Sequence, residues 1–294
     1  MRINHNIAAM ASQTSLMRAQ KDLYSSLEKL STGLRINRAS DDVAGLAVSE
    51  QLRTQVRGLA QAKRNADDGI ALLQIAEGAA KEIADTLQRM RELAIQSANG
   101  TLTSVERGYT DSEFQALMQE VQRIAQGTQY NGMTLLDGQS GSFGVSGGAN
   151  SVIHIGANNN NGSATGTIDS VRVSIDAITL GSVGLTLTTA SDNGTNITSA
   201  PNSSAAITQI DVAIKSVNNM RSGLGSMVNR LEHAVNNLSD QQFNMESAES
   251  LIRDVDFAVE TTKFTRAQIL SQSSLAMLAQ ANAIPGSILS LYGG

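Results

Sequence analysis

Between Ile210 and Ile252 the chain repeats an alternation of four-residue and three-residue steps without interruption. The series runs Ile210, Ile214, Val217, Arg221, Leu224, Val228, Leu231, Val235, Leu238, Gln242, Met245, Glu249, Ile252, and only Arg221, Gln242 and Glu249 are polar. That alternation keeps one face of an α-helix apolar over its whole length. A helix of this span is roughly 60–70 Å long at 1.5 Å per residue. It has to bury that stripe against partners of comparable length, which excludes most compact folds. Composition agrees: there is no tryptophan, aromatics are 3% and only two residues are proline, so the core is built from Ala, Leu, Ile, Val and Met on long helices.

The rest of the chain falls into zones around that helix. To about residue 138 it is helical. Leu16, Gln20, Leu23, Leu27, Leu30 and Leu34 form a heptad seam, and Ile3, Ile7, Met10, Thr14 and Met17 form a second one on a neighbouring face. A helix of about fifty residues then ends near "SANGT" (97–101), with Leu72, Ala76, Ala79, Ile83, Thr86, Met90 and Leu93 in its seam. Another is expected from about Ser104 to Thr128, with Phe114, Leu117, Val121 and Ile124 on one side, followed by turn, short strand and turn in "YNGMTLLDG" (130–138). From 139 to 204 the chain is rich in Gly, Asn, Ser and Thr. "SVIHIG", "SVRVSI" and "VGLTLTT" alternate there as strands do, giving two or three hairpins with little core of their own. A last seam comprises Leu270, Ser274, Met277, Ala281, Ile284, Ile288 and Leu291. The fold class is mainly α: a long antiparallel helical rod or coiled coil formed by the N- and C-terminal regions, with a small β-hairpin-rich middle and both termini at one end. The terminal seams are short and rich in small and polar residues, so each needs its opposite number or other copies of the chain to bury its stripe.

Chemistry is excluded more readily than assigned. The net charge of −5 comes without a basic patch for nucleic acid. No apolar run is long enough to span a membrane. "MRINHNIAAM" lacks the apolar stretch of a cleavable signal peptide, and no cysteine is available for disulfides or thiolate chemistry. His5, His154 and His233 are scattered, with no H-E-x-x-H, so no metal and no cofactor is expected. "GLGSMV" (223–228) begins like a nucleotide loop but lacks the final glycine and lies inside the strongest heptad. Asp41-Asp42 and Asp67-Asp68 are neighbours that point apart on a helix and read as a cap and a solvated face.

One stretch breaks the pattern. In "INRASDDVAGLAVSE" (36–50) the apolar repeat stops and restarts on another face. Ser40 or Asp41 is placed to cap the next helix, and the acidic pair suits its positive end. Arg35 and Arg38 are placed to contact acidic groups, and the small residues at 44, 45 and 47 allow another helix to approach closely.

"LEKLSTGLRINRASDDVAGLAVSEQLRTQVRGLAQAKRNADDGI", "LQRMRELAIQSANGT" and "NGMTLLDG" resemble the N-terminal half of bacterial flagellin, and "ESLIRDVDFAVE", "RAQILSQSS" and "LAQANAIP" resemble its C-terminal part. The resemblance covers about 1–138 and 205–294. It implies a structural subunit of the flagellar filament for swimming motility, without enzymatic activity. Residues 1–35 and 253–294 would be inner coiled-coil helices, 36–46 a spoke linker containing Arg35, Arg38, Ser40, Asp41 and Asp42 at or near its ends, 47–138 and 205–252 a rod domain, and 139–204 an outward segment. Ile3, Ile7, Met10, Leu23, Leu27, Leu30, Leu270, Met277, Ala281 and Ile284 would pack the inner tube. Implied partners are other copies of the chain, a filament cap, a junction protein and an export chaperone, and the implied location is extracellular, reached without a cleaved leader. The resemblance also places Arg89, Leu93 and Glu113 at the contact for Toll-like receptor 5. The alternatives are a hook–filament junction protein and, more distantly, a cytoplasmic coiled-coil adaptor. Asn161, Asn193, Asn196 and Asn202 head glycosylation triplets of the kind that arise by chance in such a composition, whereas outward Ser and Thr of the middle zone are where the resemblance would put O-glycans. One departure stands out: Pro285-Gly286 and Gly293-Gly294 interrupt the last seam, so its final turns are expected to kink or fray.

Overall fold

The computed structural model describes residues 6–138, 152–158, 169–175, 178 and 195–292, with side chains to residue 283. It contains five helices, α1 (Ile7–Thr32), α2 (Val43–Ala98), α3 (Ser104–Gly127), α4 (Ala200–Arg253) and α5 (Phe257–Tyr292). Two small antiparallel sheets lie between α3 and α4 in sequence. The chain forms two compact units. One comprises residues 56–242 and the other residues 1–55 with 243–294, so the division falls within α2 and α4.

The 56–242 unit has the apolar core the heptads call for. Leu73, Ile83, Leu87 and Met90 of α2, Phe114 and Met118 of α3, and Ile210, Val217 and Leu224 of α4 are all buried in one cluster. Burying each large side chain contributes about 1.5–3 kcal/mol relative to leaving it exposed. Two ion pairs tie α2 to α4, Arg91 to Asp211 at 2.7 Å and Arg221 to Glu77 at 2.8 Å. Half-exposed as they are, they align the helices more than they stabilise them.

Helix ends are closed by named groups. Thr103 and Glu106 form a reciprocal capping box at the start of α3. The last carbonyls of α2 are met from outside the helix: the Arg107 guanidinium donates to the carbonyls of Ser97 (2.9 Å) and Asn99 (3.0 Å). Asn131 and Gly132, both with positive φ, make the two-residue turn between β1 (Gln129–Tyr130) and β2 (Met133–Thr134), the conformation that Asn-Gly favours. In the middle zone β3 (Val152–His154) pairs with β4 (Ser170–Arg172), opposing Ile153 to Val171, both buried. Gly69 lets β3 sit against α2, since a Cβ there would lie 2.5 Å from the Ile153 Cδ1. The alternating stretch 183–189 lies outside the described residues.

One boundary differs from the sequence reading. Residues 200–204, assigned to the β-rich segment, already belong to α4. The polar composition of this stretch placed it with the middle segment; Pro201 falls in the first turn, where its missing N–H costs nothing. Ser199 closes that turn: its carbonyl accepts from the Ser203 amide (2.9 Å) and its Oγ from the Asn202 amide (3.4 Å). The segment before it is anchored by its own backbone. The Ile197 amide donates to Asp111 (2.8 Å), and the Ile197 carbonyl accepts from the buried Ser97 hydroxyl at 2.5 Å.

Candidate functional site

The other unit carries the surfaces that need explanation. α1 runs antiparallel to α5, and two hydrogen bonds fix their levels: Asn6 Nδ2 donates to the Ala281 carbonyl at 2.8 Å, and Ser26 Oγ donates to Glu260 Oε1 at 2.7 Å. The inward face of α1 is Ala9, Ser12, Leu16, Ala19, Leu23, Ser26 and Leu30, and that of α5 is Glu260, Phe264, Ala267, Ser271, Ser274, Leu278 and Ala281. Each set keeps the alternation of three and four, but most members are small.

This corrects the seam read from leucines. Gln20 and Leu27 are exposed, and Ala19 and Ser26 take their places between the helices. Small side chains at these positions allow close approach of the helices, and many of the larger ones turn outward. Ile7 is 66% exposed, Met10 63% and Met277 60%, while Met17, Tyr24, Leu27, Ile269, Leu270 and Leu275 are also exposed. Of the residues assigned to inner-tube packing, Leu23 and Leu30 are partly buried and Ala281 is buried, so these three face the other helix of the pair. Ile7, Met10, Leu27, Leu270 and Met277 do not. Ile3 and the side chain of Ile284 lie outside the described residues. A shallow groove of about 810 Å³ runs along α5 past Phe257, Thr261, Thr265, Ile269 and Leu270.

Contrary to the expected fraying, α5 continues through Pro285 and Gly286 to Tyr292. Proline lacks the N–H that would bond to the carbonyl four residues earlier, which is that of Ala281. Asn6 supplies the missing donor, while its Oδ1 accepts from the Ala9 amide (3.0 Å) and caps α1. One side chain thus begins one helix and mends the other.

At the other end of α1 the chain is tied by its backbone. Gly33, with φ 73°, ends the helix. Leu34 and Asp254 then form an antiparallel bridge, with the Arg35 amide donating to the Arg253 carbonyl (2.6 Å) and the Val255 amide to the Gly33 carbonyl (3.0 Å). The Arg35 guanidinium donates to the Ile252 carbonyl at 2.7 Å, not to an acidic group, because the bridge brings that carbonyl within reach first. Arg38 does find an acid, Glu28, at 3.0 Å. Arg253 pairs with Glu50 at 2.7 Å.

The cap of α2 is Asp42, not Ser40 or Asp41: Asp42 Oδ1 accepts from the Gly45 amide at 2.9 Å. Asp41 faces back instead and accepts from the amides of Arg38 (3.0 Å) and Asn37 (3.2 Å). The Arg38 amide does most to hold the Asp41 carboxyl below the usual aspartate range; burial opposes it, and the Asn37 amide and the Lys29 and Arg38 charges add to the lowering. Gly45 is needed here, since a Cβ would lie 2.4 Å from Asp42 Oδ2 and 2.8 Å from the buried Ile36.

Glu260 was missed by sequence reasoning. It is 4% exposed, the one charged side chain in the buried set among the described residues. Lys263 Nζ donates to its second oxygen at 3.0 Å. Burial by itself would raise its pKa, but the hydrogen bonds from Ser26 and Lys263 and the charges of Lys263 and Lys29 outweigh it, so the carboxyl titrates below the usual glutamate range. A cavity of about 280 Å³ beside it is lined by Asp22, Ser25, Lys29, Lys263 and Arg266. The only available signal was a glutamate at a seam position of a helix whose other seam residues are small or apolar.

In the 56–242 unit Arg89 pairs with Glu113 of α3 at 2.9 Å and with Glu92 at 3.1 Å. Leu93, expected to join the patch, is 2% exposed and belongs to the core. Among the described residues no group of three His, Asp or Glu could hold a metal ion, and no helix is long and apolar enough to cross a membrane.

Family profiles account for both halves of this arrangement. The bacterial flagellin N-terminal helical region matches residues 3–141 and the bacterial flagellin C-terminal helical region matches residues 207–292. A flagellin of Halalkalibacterium halodurans is 45% identical over 289 residues, covering 98% of both chains. The chain belongs to the bacterial flagellins. Flagellin FlaB2 of Treponema pallidum is 44% identical over 295 residues, covering 98% of this chain and 99% of that one. The flagellin of Bacillus subtilis is 43% identical over 312 residues and 99% of both. With such end-to-end matches the chain is a short flagellin, a structural filament protein and not an enzyme.

Proposed function

We propose that this chain adds head-to-tail to the end of a growing flagellar filament, with α1 and α5 as its inner helices, the junction at 33–42 and 252–256 as the spoke, and the 56–242 unit as its rod domain. The observation that carries this reading is the division of labour in the helix pair. Small residues make up most of the inward faces, and Ile7, Met10, Met17, Ile269, Leu270 and Met277 are exposed, with nothing among the described residues to cover them. A contact that joins different surfaces on successive copies does not close, and a helical fibre results. Burial of those faces drives it, so salts excluded from protein surfaces favour growth. A filament cap, a junction protein and an export chaperone are the further partners this role requires, and swimming is its use. The flagellin relatives favour a filament subunit over a junction protein.

The test is seeded growth in a concentrated excluded salt, followed by electron microscopy, comparing the full chain with one lacking residues 1–40 and 258–294. Fibres from the full chain only are the expected result. Fibres from both would mean that the terminal helices do not drive assembly, and none from the well-folded full chain would favour the junction protein.

A second reading rests on the Arg89–Glu113 pair. Recognition of the free chain by Toll-like receptor 5 would use this exposed, oppositely charged pair, with Leu93 contributing only through the core beneath the surface of α2. Arg89→Asp places two acids together and should weaken receptor activation by the free chain; undiminished activation would remove the reading.

A further inference from the structure

The seam between α1 and α5 poses a problem of register. Ser12, Ala19 and Ser26 of α1 and Ala267, Ser274 and Ala281 of α5 are small residues that recur every seven positions, and Leu16, Leu23 and Leu30 repeat at the same interval beside the first set. Sliding one helix by a heptad would therefore again set small residues against small ones, with little loss of packing. Two side-chain contacts between the helices are the exceptions, apart from the Leu34–Asp254 backbone bridge just beyond α1, and they sit at opposite ends of the pair. Ser26 donates to the buried Glu260 at one end, and Asn6 donates to the Ala281 carbonyl at the other.

We propose that these two contacts, added to the Leu34–Asp254 bridge, and not the apolar seam, select the register of α1 against α5 along the helices, with Ser26, Glu260 and Asn6 acting as positioning residues and Pro285 creating the acceptor that Asn6 reads. A polar residue at one seam position is an established way for paired helices to reject alternative alignments. The reason is the cost of failure: a buried acceptor without a donor loses far more than a well-made hydrogen bond gains.

Each pin penalises a slip for its own reason. Slide α5 by one heptad in one direction and Glu260 comes level with Ala19, which has nothing to donate. Slide it the other way and it comes level with Gly33, past the end of α1. The charged groups around Glu260 do not rescue it alone. Lys263 and Arg266 travel with α5, Lys29 and Asp22 stay with α1, and only Ser26 reaches the first carboxylate oxygen from the opposing helix. At the far end the Ala281 carbonyl is on a buried residue and has no helical donor, because residue 285 is proline. A seven-residue slip removes Asn6 from it. Since Asn6 also caps α1, the carbonyl is matched to the first turn of the helix and to no later one.

The proposal stands apart from assembly, since both contacts lie within one chain. Cross-linking reads it directly, because the chain has no cysteine of its own. Counting from the two pins puts Ala19 level with Ala267, and one heptad of slip puts Ser12 level with Ala267. A heptad is about 10 Å along the axis, too far for a disulfide to bridge both alignments. The full-length chain carrying A19C with A267C, or S12C with A267C, is oxidised before and after seeded growth. Cross-linking of the first pair and not the second is expected in the otherwise native chain and with Glu260→Gln, which keeps an acceptor for Ser26. Glu260→Ala should lower the first product at least about fivefold and bring up the second.

Asn6→Asp separates the cap from the pin, for it keeps the capping oxygen and removes the donor. It should shift cross-linking in the same direction, and Pro285→Ala, which restores a helical N–H to Ala281, should cancel most of that shift. Native-pair cross-linking alone in Glu260→Ala and in Asn6→Asp would overturn the proposal. So would absence of the native-pair product in the otherwise native chain in both states. Failure to form fibres would count against the assembly reading alone, because the free chain still reports its register.

Discussion

The two units bury different kinds of residue. In the 56–242 unit the interior holds Phe114, Leu87, Met90, Met118, Ile210 and many more large side chains, and its helix ends are closed by its own groups. In the other unit only Ala19, Ile36, Ala267 and Ala281 join the buried apolar set among the described residues, and many large side chains of α1 and α5, Ile7, Met10, Met17, Ile269 and Met277 among them, are exposed. The same heptad grammar is used for opposite ends. Large residues inside make a unit that stands by itself. Small residues inside make a pair that leaves large apolar side chains exposed, the area that the proposed assembly would bury.

The contrast can be broken by substitutions on either side. Phe114→Ala leaves a cavity in the self-sufficient core and should cost about 3–5 kcal/mol in denaturant unfolding of the 56–242 unit. Met17→Glu or Met277→Glu should leave that unfolding unchanged within about 0.5 kcal/mol. Each should raise the concentration needed for seeded growth at least about tenfold, equivalent to about 1.4 kcal/mol per added subunit. An effect of these charges on the free chain as large as their effect on growth would mean the outward faces are already covered.

Asp42→Ala removes the cap of α2 and should cost about 1 kcal/mol, whereas Asp41→Ala leaves that cap in place; helical content followed through denaturation separates the two. Acid offers a gentler probe. The Glu260 carboxyl titrates below the usual glutamate range, so its contribution to the α1–α5 pair is complete above the unfolded value near 4.3 and is lost as pH falls through the lower folded value. Glu260→Gln should flatten that part of the acid transition, read by circular dichroism. Smallest of all, Arg89→Ala removes an exposed ion pair and should change the stability of the 56–242 unit by no more than about 1 kcal/mol.

What the sequence made legible follows the same division. Where large residues mark the buried face, as from Ile210 to Ile252, every position of the repeat is buried or partly buried. The Asn131-Gly132 turn was equally plain, because few dipeptides accept two positive φ angles. On α1 and α5 hydrophobicity pointed the wrong way. Leu27 and Leu270 look like seam residues, yet Ser26 and Ser271 hold those places, since close helix approach selects for size and not for apolar character. The choice of Asp42 over Asp41 as cap turned on one residue of backbone path, which composition does not encode. The link between Asn6 and Pro285 spans almost the whole chain, and no local pattern announces it.

Amide hydrogen exchange on the free chain and on assembled fibres tests the central contrast most directly. The account predicts that 56–98, 104–127 and 200–242 are already strongly protected in the free chain. Residues 7–32 and 257–283 should exchange faster than these there, from a pair that forms but opens readily, and gain protection on assembly by a factor of about a hundred or more, corresponding to about 2.7 kcal/mol or more of added stability. Equal protection of the terminal helices in both states would contradict it, for α1 and α5 would then be a finished structure with no need of a neighbour.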